Sequence, residues 1–81
     1  MDDHPLHQHI EGLSDEEERL YAEASAGGGL SPADRERLQA IKVELDQCFD
    51  LLHQREARRA AGLDPEEAKV RPATVVEHYQ Q

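Results

Sequence analysis

The fold this sequence predicts is all-α: an antiparallel two-helix hairpin with a longer second helix and a short C-terminal helical tail, expected to pair with a second copy as a four-helix arrangement. Three observations carry that expectation. Apolar residues recur at alternating spacings of three and four in two separate segments, the pattern of a helix with one apolar stripe. Gly27-Gly28-Gly29 stands between the segments. Ser31 and Gly62 bracket the second segment with a start signal and a stop signal. On this reading residues 1–62 form the hairpin, with a helix over about 4–24, a glycine-rich turn over 25–30 and a helix over about 31–61; residues 63–81 form a tail with short helical turns.

In the first helix Leu6, Ile10, Leu13, Leu20 and Ala24 keep the spacing, with Tyr21 alongside and Glu17 where an apolar residue is expected. Gly12 weakens the segment, because glycine inside a helix costs up to about 1 kcal/mol against alanine. Ser14-Asp15-Glu16-Glu17 also reads as a fresh N-terminus. One kinked helix and a short helix followed by a longer one both fit these residues.

Ser25-Ala26-Gly27-Gly28-Gly29-Leu30 closes the hairpin, since a glycine run cannot continue a helix without a large entropic cost and a short link makes its neighbours antiparallel. Aligning the two stripes around it sets Leu20 near Leu38, Leu13 near Leu45 and Leu6 near Leu52. Residues after about His53 then overhang the first helix.

The second helix opens at Ser31-Pro32-Ala33-Asp34, where a serine hydroxyl can accept from free N–H groups, proline suits the first turn, and an acid sits at the positive end of the dipole. Leu38, Ile41, Leu45, Cys48 and Leu52 form its stripe, flanked by Phe49 and extended by Arg55 and Arg59, and Gly62 supplies a left-handed stop. About 30 residues at 1.5 Å each make a rod near 45 Å long. Val43, with Ala40 and Leu51 on its flanks, lies opposite the stripe and starts a second, weaker apolar surface. In the tail, Asp64-Pro65-Glu66-Glu67 begins one helical turn or two, and Thr74-Val75-Val76-Glu77 begins a final short helix carrying Val75, Val76 and Tyr79. The tail is placed on the overhang, with Glu66, Glu67 or Glu77 meeting its arginines.

Composition bounds the function. The chain has 81 residues, a net charge of −9 and 33% charged residues, so a single domain with a thin core is expected, and thin cores favour association. A homodimer follows as the expected state. The acidic balance disfavours nucleic acid and anionic membranes as partners, because phosphate contacts require clustered Lys and Arg. No apolar run approaches the roughly 20 residues of a membrane span. Met1-Asp2-Asp3-His4 is acidic where a signal peptide is cationic, and the single Cys48 cannot form an intramolecular disulfide. A cytoplasmic location is the resulting expectation.

Candidate chemistry is sparse. His4, His7 and His9 read as a solvated terminus, since only His4 and His7 share a helix face. Asp50-Leu51-Leu52-His53 imitates the carboxylate-x-x-histidine spacing of di-iron bundles, with Glu17 as the carboxylate from the other helix. Asp50 and His53 nevertheless fall at the margins of the stripe and are expected to pair locally on a solvated flank. Glu17 alternatively reaches Lys42, or sets the register of a dimer through a cation such as Arg55. Cys48 reads as a small buried hydrophobe. Arg55, Arg58 and Arg59 could contact phosphate, although acids outnumber bases two to one, at 18 against 9. No phosphate loop, nucleophilic triad or cysteine–histidine set is present. No catalytic residue and no cofactor is expected. The seam Leu6, Ile10, Leu13, Leu20, Leu38, Ile41, Leu45, Cys48, Phe49 and Leu52 is the expected interaction stripe, and Val43, Leu51, Arg55, Arg58 and Arg59 the expected partner surface. The function expected is that of a non-enzymatic adaptor or regulator, with a metal-binding bundle and an RNA- or ribosome-associated helix as alternatives.

The run Leu45-Asp46-Gln47-Cys48-Phe49-Asp50-Leu51-Leu52-His53-Gln54-Arg55-Glu56-Ala57-Arg58-Arg59, with Ala61-Gly62-Leu63-Asp64-Pro65 and the later Val76-Glu77-His78-Tyr79, resembles a small actinobacterial protein family of unknown function. The resemblance covers most of the chain. It implies no activity, cofactor or catalytic residue.

Overall fold

The computed structural model describes residues 3–74. Two α-helices, α1 (His4–Gly27) and α2 (Pro32–Ala60), pack side by side as an antiparallel hairpin, and a 3-10 turn follows at Pro65–Glu67. α1 runs unbroken through Gly12, where a Cβ would meet nothing within 4 Å. Glycine's backbone freedom therefore weakens the helix there without breaking it. α1 also continues three residues beyond Ala24. Ser25 and Ala26 are compatible with helical geometry, and only Gly28 (φ 94°) and Gly29 (φ 108°) take the left-handed conformation that ends it. Both of their N–H groups donate to the Ala24 carbonyl, so the turn narrows to residues 28–31.

α2 carries both of its expected signals. The Ser31 hydroxyl accepts from the Asp34 N–H at 3.1 Å, with Pro32 in the first turn. At the other end Leu63 N–H donates to Arg58 O and Gly62 N–H to Arg59 O, with Gly62 at φ 75°. That pair of bonds is the Schellman arrangement, which satisfies carbonyls the helix would otherwise leave bare.

The core between the helices consists of Leu13, Leu20, Leu38, Ile41 and Cys48, with Leu6, Ile10, Leu30 and Leu45 half-buried against it. Ile41 is fully enclosed. Three expectations about α2 need correcting. Phe49, expected to flank the seam, is 42% exposed, and Leu52 is only half-buried, because the contact with α1 is centred on Ile41 and Cys48. Leu51, expected on an outer stripe with Val43, is buried, and Val43 is half-buried. Asp50, expected in solvent, is buried as well.

The chain after α2 explains the last two. It turns back and runs down the outer side of α2 as a strap. Arg58 Nε donates to Asp64 O at 2.5 Å and its Nη2 meets Glu67 at 2.5 Å; Gln54 donates to Lys69 O at 2.8 Å; Gln47 donates to Arg71 O at 3.2 Å. The overhang is also shorter than expected. Asp3, the N-cap of α1, reaches Arg55 at 3.2 Å and Arg59 at 2.8 Å. Val75, Val76, Glu77 and Tyr79 of the expected final helix lie outside the described residues.

Candidate functional site

A two-helix hairpin has two broad faces, and in this chain they are unlike. The first is closed by polar links. His9 Nε2 lies 3.0 Å from Glu44, and Arg37 Nε donates to Glu16 at 2.5 Å, so a hydrogen bond and an ion pair cross from α1 to α2 on the same side. The Arg37 hydrogen bond holds the Glu16 carboxyl below its ordinary pKa. This cross-hairpin role falls to Glu16, whereas Glu17 was the residue expected to reach across. Between Leu6 and His9 of α1, Glu44, Cys48 and Leu51 of α2, and Val70 of the strap lies a groove of about 200 Å³. Burial, and then the Glu44 carboxylate, push the Cys48 thiol pKa up. The thiolate is disfavoured, which is the opposite of what a nucleophile or redox cysteine needs.

Asp50 anchors the strap. Arg71 donates to it with both Nε, at 2.8 Å, and Nη2, and Gln54 adds a third donor at 2.8 Å. The Arg71 hydrogen bond, against the opposing effect of burial, holds the Asp50 carboxyl below its ordinary value. Gln47, Asp50, Gln54 and Arg58 fall at spacings of three, four and four, a polar stripe on α2 that grips the strap, three of them through its backbone carbonyls and Asp50 through the Arg71 side chain. The spacing was readable, but its partner was not, since Lys69 to Arg71 has no periodicity.

The metal candidates do not converge. Asp50 is engaged by Arg71, His53 is exposed, and Glu17 projects from α1 on the face away from the strap. Among the described residues no group of three or more His, Cys, Asp or Glu side chains could hold a metal ion. The arginine candidates are likewise engaged: Arg55 and Arg59 by Asp3, and Arg58 by Glu67. Burial raises the Asp3 pKa, but the hydrogen bond and charge of Arg59, joined by Arg55, outweigh it and hold the carboxyl low. Asp3 had no sequence signal beyond an acid preceding a proline-containing helix start.

The second face is left open by the described residues. On the helical wheel Ile10, Glu17 and Tyr21 of α1 and Phe49 of α2 project to the side opposite the His9–Glu44 and Glu16–Arg37 pairs, with Leu45 and Leu52 in the seam beneath them. Tyr21 is 44% exposed and Phe49 42%, while Ile10, Leu45 and Leu52 are half-buried. Lys42 lies on the same side. Neither it nor the half-buried Glu17 has a hydrogen-bond or ion-pair partner among the described residues. No described helix is long and apolar enough to cross a membrane.

Comparison with known proteins is consistent with the actinobacterial resemblance. Uncharacterised proteins of Mycobacterium tuberculosis and Mycobacterium bovis are each 49% identical to this chain over 71 residues, covering 88% of it and 82% of their own length. No solved structure matches the chain. The family model described as protein of unknown function (DUF2630) matches residues 2–81, and the chain belongs to that family.

Proposed function

We propose that this protein is a non-enzymatic, self-associating helical module that serves as an adaptor or regulator of a larger cytoplasmic assembly. The observation that carries the reading is the open face, which leaves two aromatic side chains and three half-buried aliphatic ones beside a core of five buried residues. A core that small supplies little net stability by itself, about 3–5 kcal/mol in chains of this size. Covering a second apolar face is the ordinary way such a chain gains more. The acidic surface keeps the free chain dispersed and steers it toward basic protein surfaces rather than nucleic acid.

Affinity capture tests the adaptor role. A tagged full-length chain, expressed beside the untagged one in its native cells, is expected to recover the untagged copy together with a fixed set of proteins in constant ratio. Recovery of the tagged chain alone, under mild washing, contradicts the proposal.

A further inference from the structure

The unlike faces of the hairpin specify more than a general tendency to associate. We infer that the open face is the interface between two copies of this chain, related by a twofold axis that lies in the face, runs parallel to the helices and passes between Glu17 and Lys42; this rests on the self-association reading above.

Charge complementarity identifies the occupant. Glu17 and Lys42 sit toward the middle of the open face, without a partner among the described residues. Tyr21 lies one turn from Glu17 toward the loop, and Phe49 lies two turns from Lys42 toward the open end. That axis turns the second hairpin over and exchanges its two helices across the centre, with both loops at the same end. It brings Glu17 toward the partner's Lys42, and Lys42 toward the partner's Glu17. The same operation sets the exposed Phe49 of each copy at the level of the partner's Ile10. A self-complementary patch of this kind is what an isologous interface requires.

The area is sufficient. The molecule measures 51 × 26 × 16 Å, and its broad side has room for the roughly 800 Å² that each partner contributes to a standard interface. The opposite face is a poorer candidate, because the strap and the His9–Glu44 and Glu16–Arg37 links already occupy it. Two hairpins joined through their open faces make a four-helix, two-layer body with both straps outside.

Sedimentation velocity on the full chain, over a concentration series, decides the matter with four variants. Phe49→Glu is expected to weaken dimerisation by at least about 30-fold, the effect of losing an aromatic anchor at the centre of an interface. Glu17→Lys and Lys42→Glu should each weaken it, and the double reversal should restore it. Circular dichroism checks that each variant retains its helices; if Phe49→Glu unfolds, the charge reversals alone decide. A wild-type dimer indifferent to Phe49→Glu, or a double reversal no better than the single ones, overturns this interface while leaving self-association standing. A wild-type chain that stays monomeric up to about 1 mM overturns both.

Discussion

Arg71→Ala is the perturbation most informative about how the strap is held. It deletes the two hydrogen bonds that a guanidinium donates to Asp50, a residue 7% exposed in the intact fold, and leaves Gln54 as its described donor. Breaking a fully buried pair costs about 3–5 kcal/mol, because an uncompensated charge remains inside. The Arg71 side chain is 41% exposed, so water can partly replace it and solvent screening reduces the loss. About 2 kcal/mol is therefore the expected cost. For a domain of this size that lowers the melting temperature by about 8–16 °C. Urea unfolding followed by circular dichroism measures the loss, and amide exchange measures its location. Exchange should quicken across Asp64 to Arg71 while the α1–α2 core stays protected. Lys69→Ala is the control, since Lys69 contributes its backbone carbonyl to the strap. If Arg71→Ala shifts the unfolding midpoint no further than Lys69→Ala does, Asp50 is not the anchor and the reasoning fails. Because the strap lies away from the open face, Arg71→Ala should also leave the molar mass in solution unchanged once stability is matched.

Other outcomes follow from the same geometry. Gly12→Ala meets open space in a helical conformation, so it should raise stability by about 0.5–1 kcal/mol in chemical denaturation; a loss would show that α1 is not continuous there. Ile41→Ala empties a fully enclosed position and should cost about 2–5 kcal/mol in the same assay. Asp50, depressed from an ordinary 3.8, stabilises the fold fully above that value and loses its contribution as pH falls through the lower folded value. The stability gap between wild type and Asp50→Asn should therefore hold constant at neutral pH and close below about pH 4, whereas a gap that widens on acidification would reverse the assigned sign.

The parts of this fold that were legible in the sequence are those with local chemistry. Ser31-Pro32-Ala33-Asp34 announces the start of α2, and Gly62 its end, because capping is decided within a few residues. The stripes of Leu13, Leu20, Leu38 and Ile41 predict the hairpin core, because helical period and burial coincide there. What escaped was contact between segments of unlike character. Asp50 lies outside the α1-facing stripe and is covered by Arg71 of a strap without periodicity, and Leu51 lies between α1 and Val70 of the same strap. Asp3 likewise meets Arg55 and Arg59 across 52 and 56 residues of chain, a distance over which spacing says nothing. Glu16 in place of Glu17 is a one-residue difference in helix phase, about 100° of rotation, which separates the linked face from the open one. The open face itself was half-legible: Phe49 was placed beside the seam, but its exposure emerged only when Ile41 and Cys48 took the centre of the contact.

The central claim is that two copies associate through the open face, and the molar mass in solution tests it most directly. Static light scattering on the full-length chain at neutral pH and moderate salt, followed through a dilution series, should give twice the 9.1 kDa of one chain at high concentration and fall toward a single chain on dilution. A mass of one chain at every concentration would contradict the account.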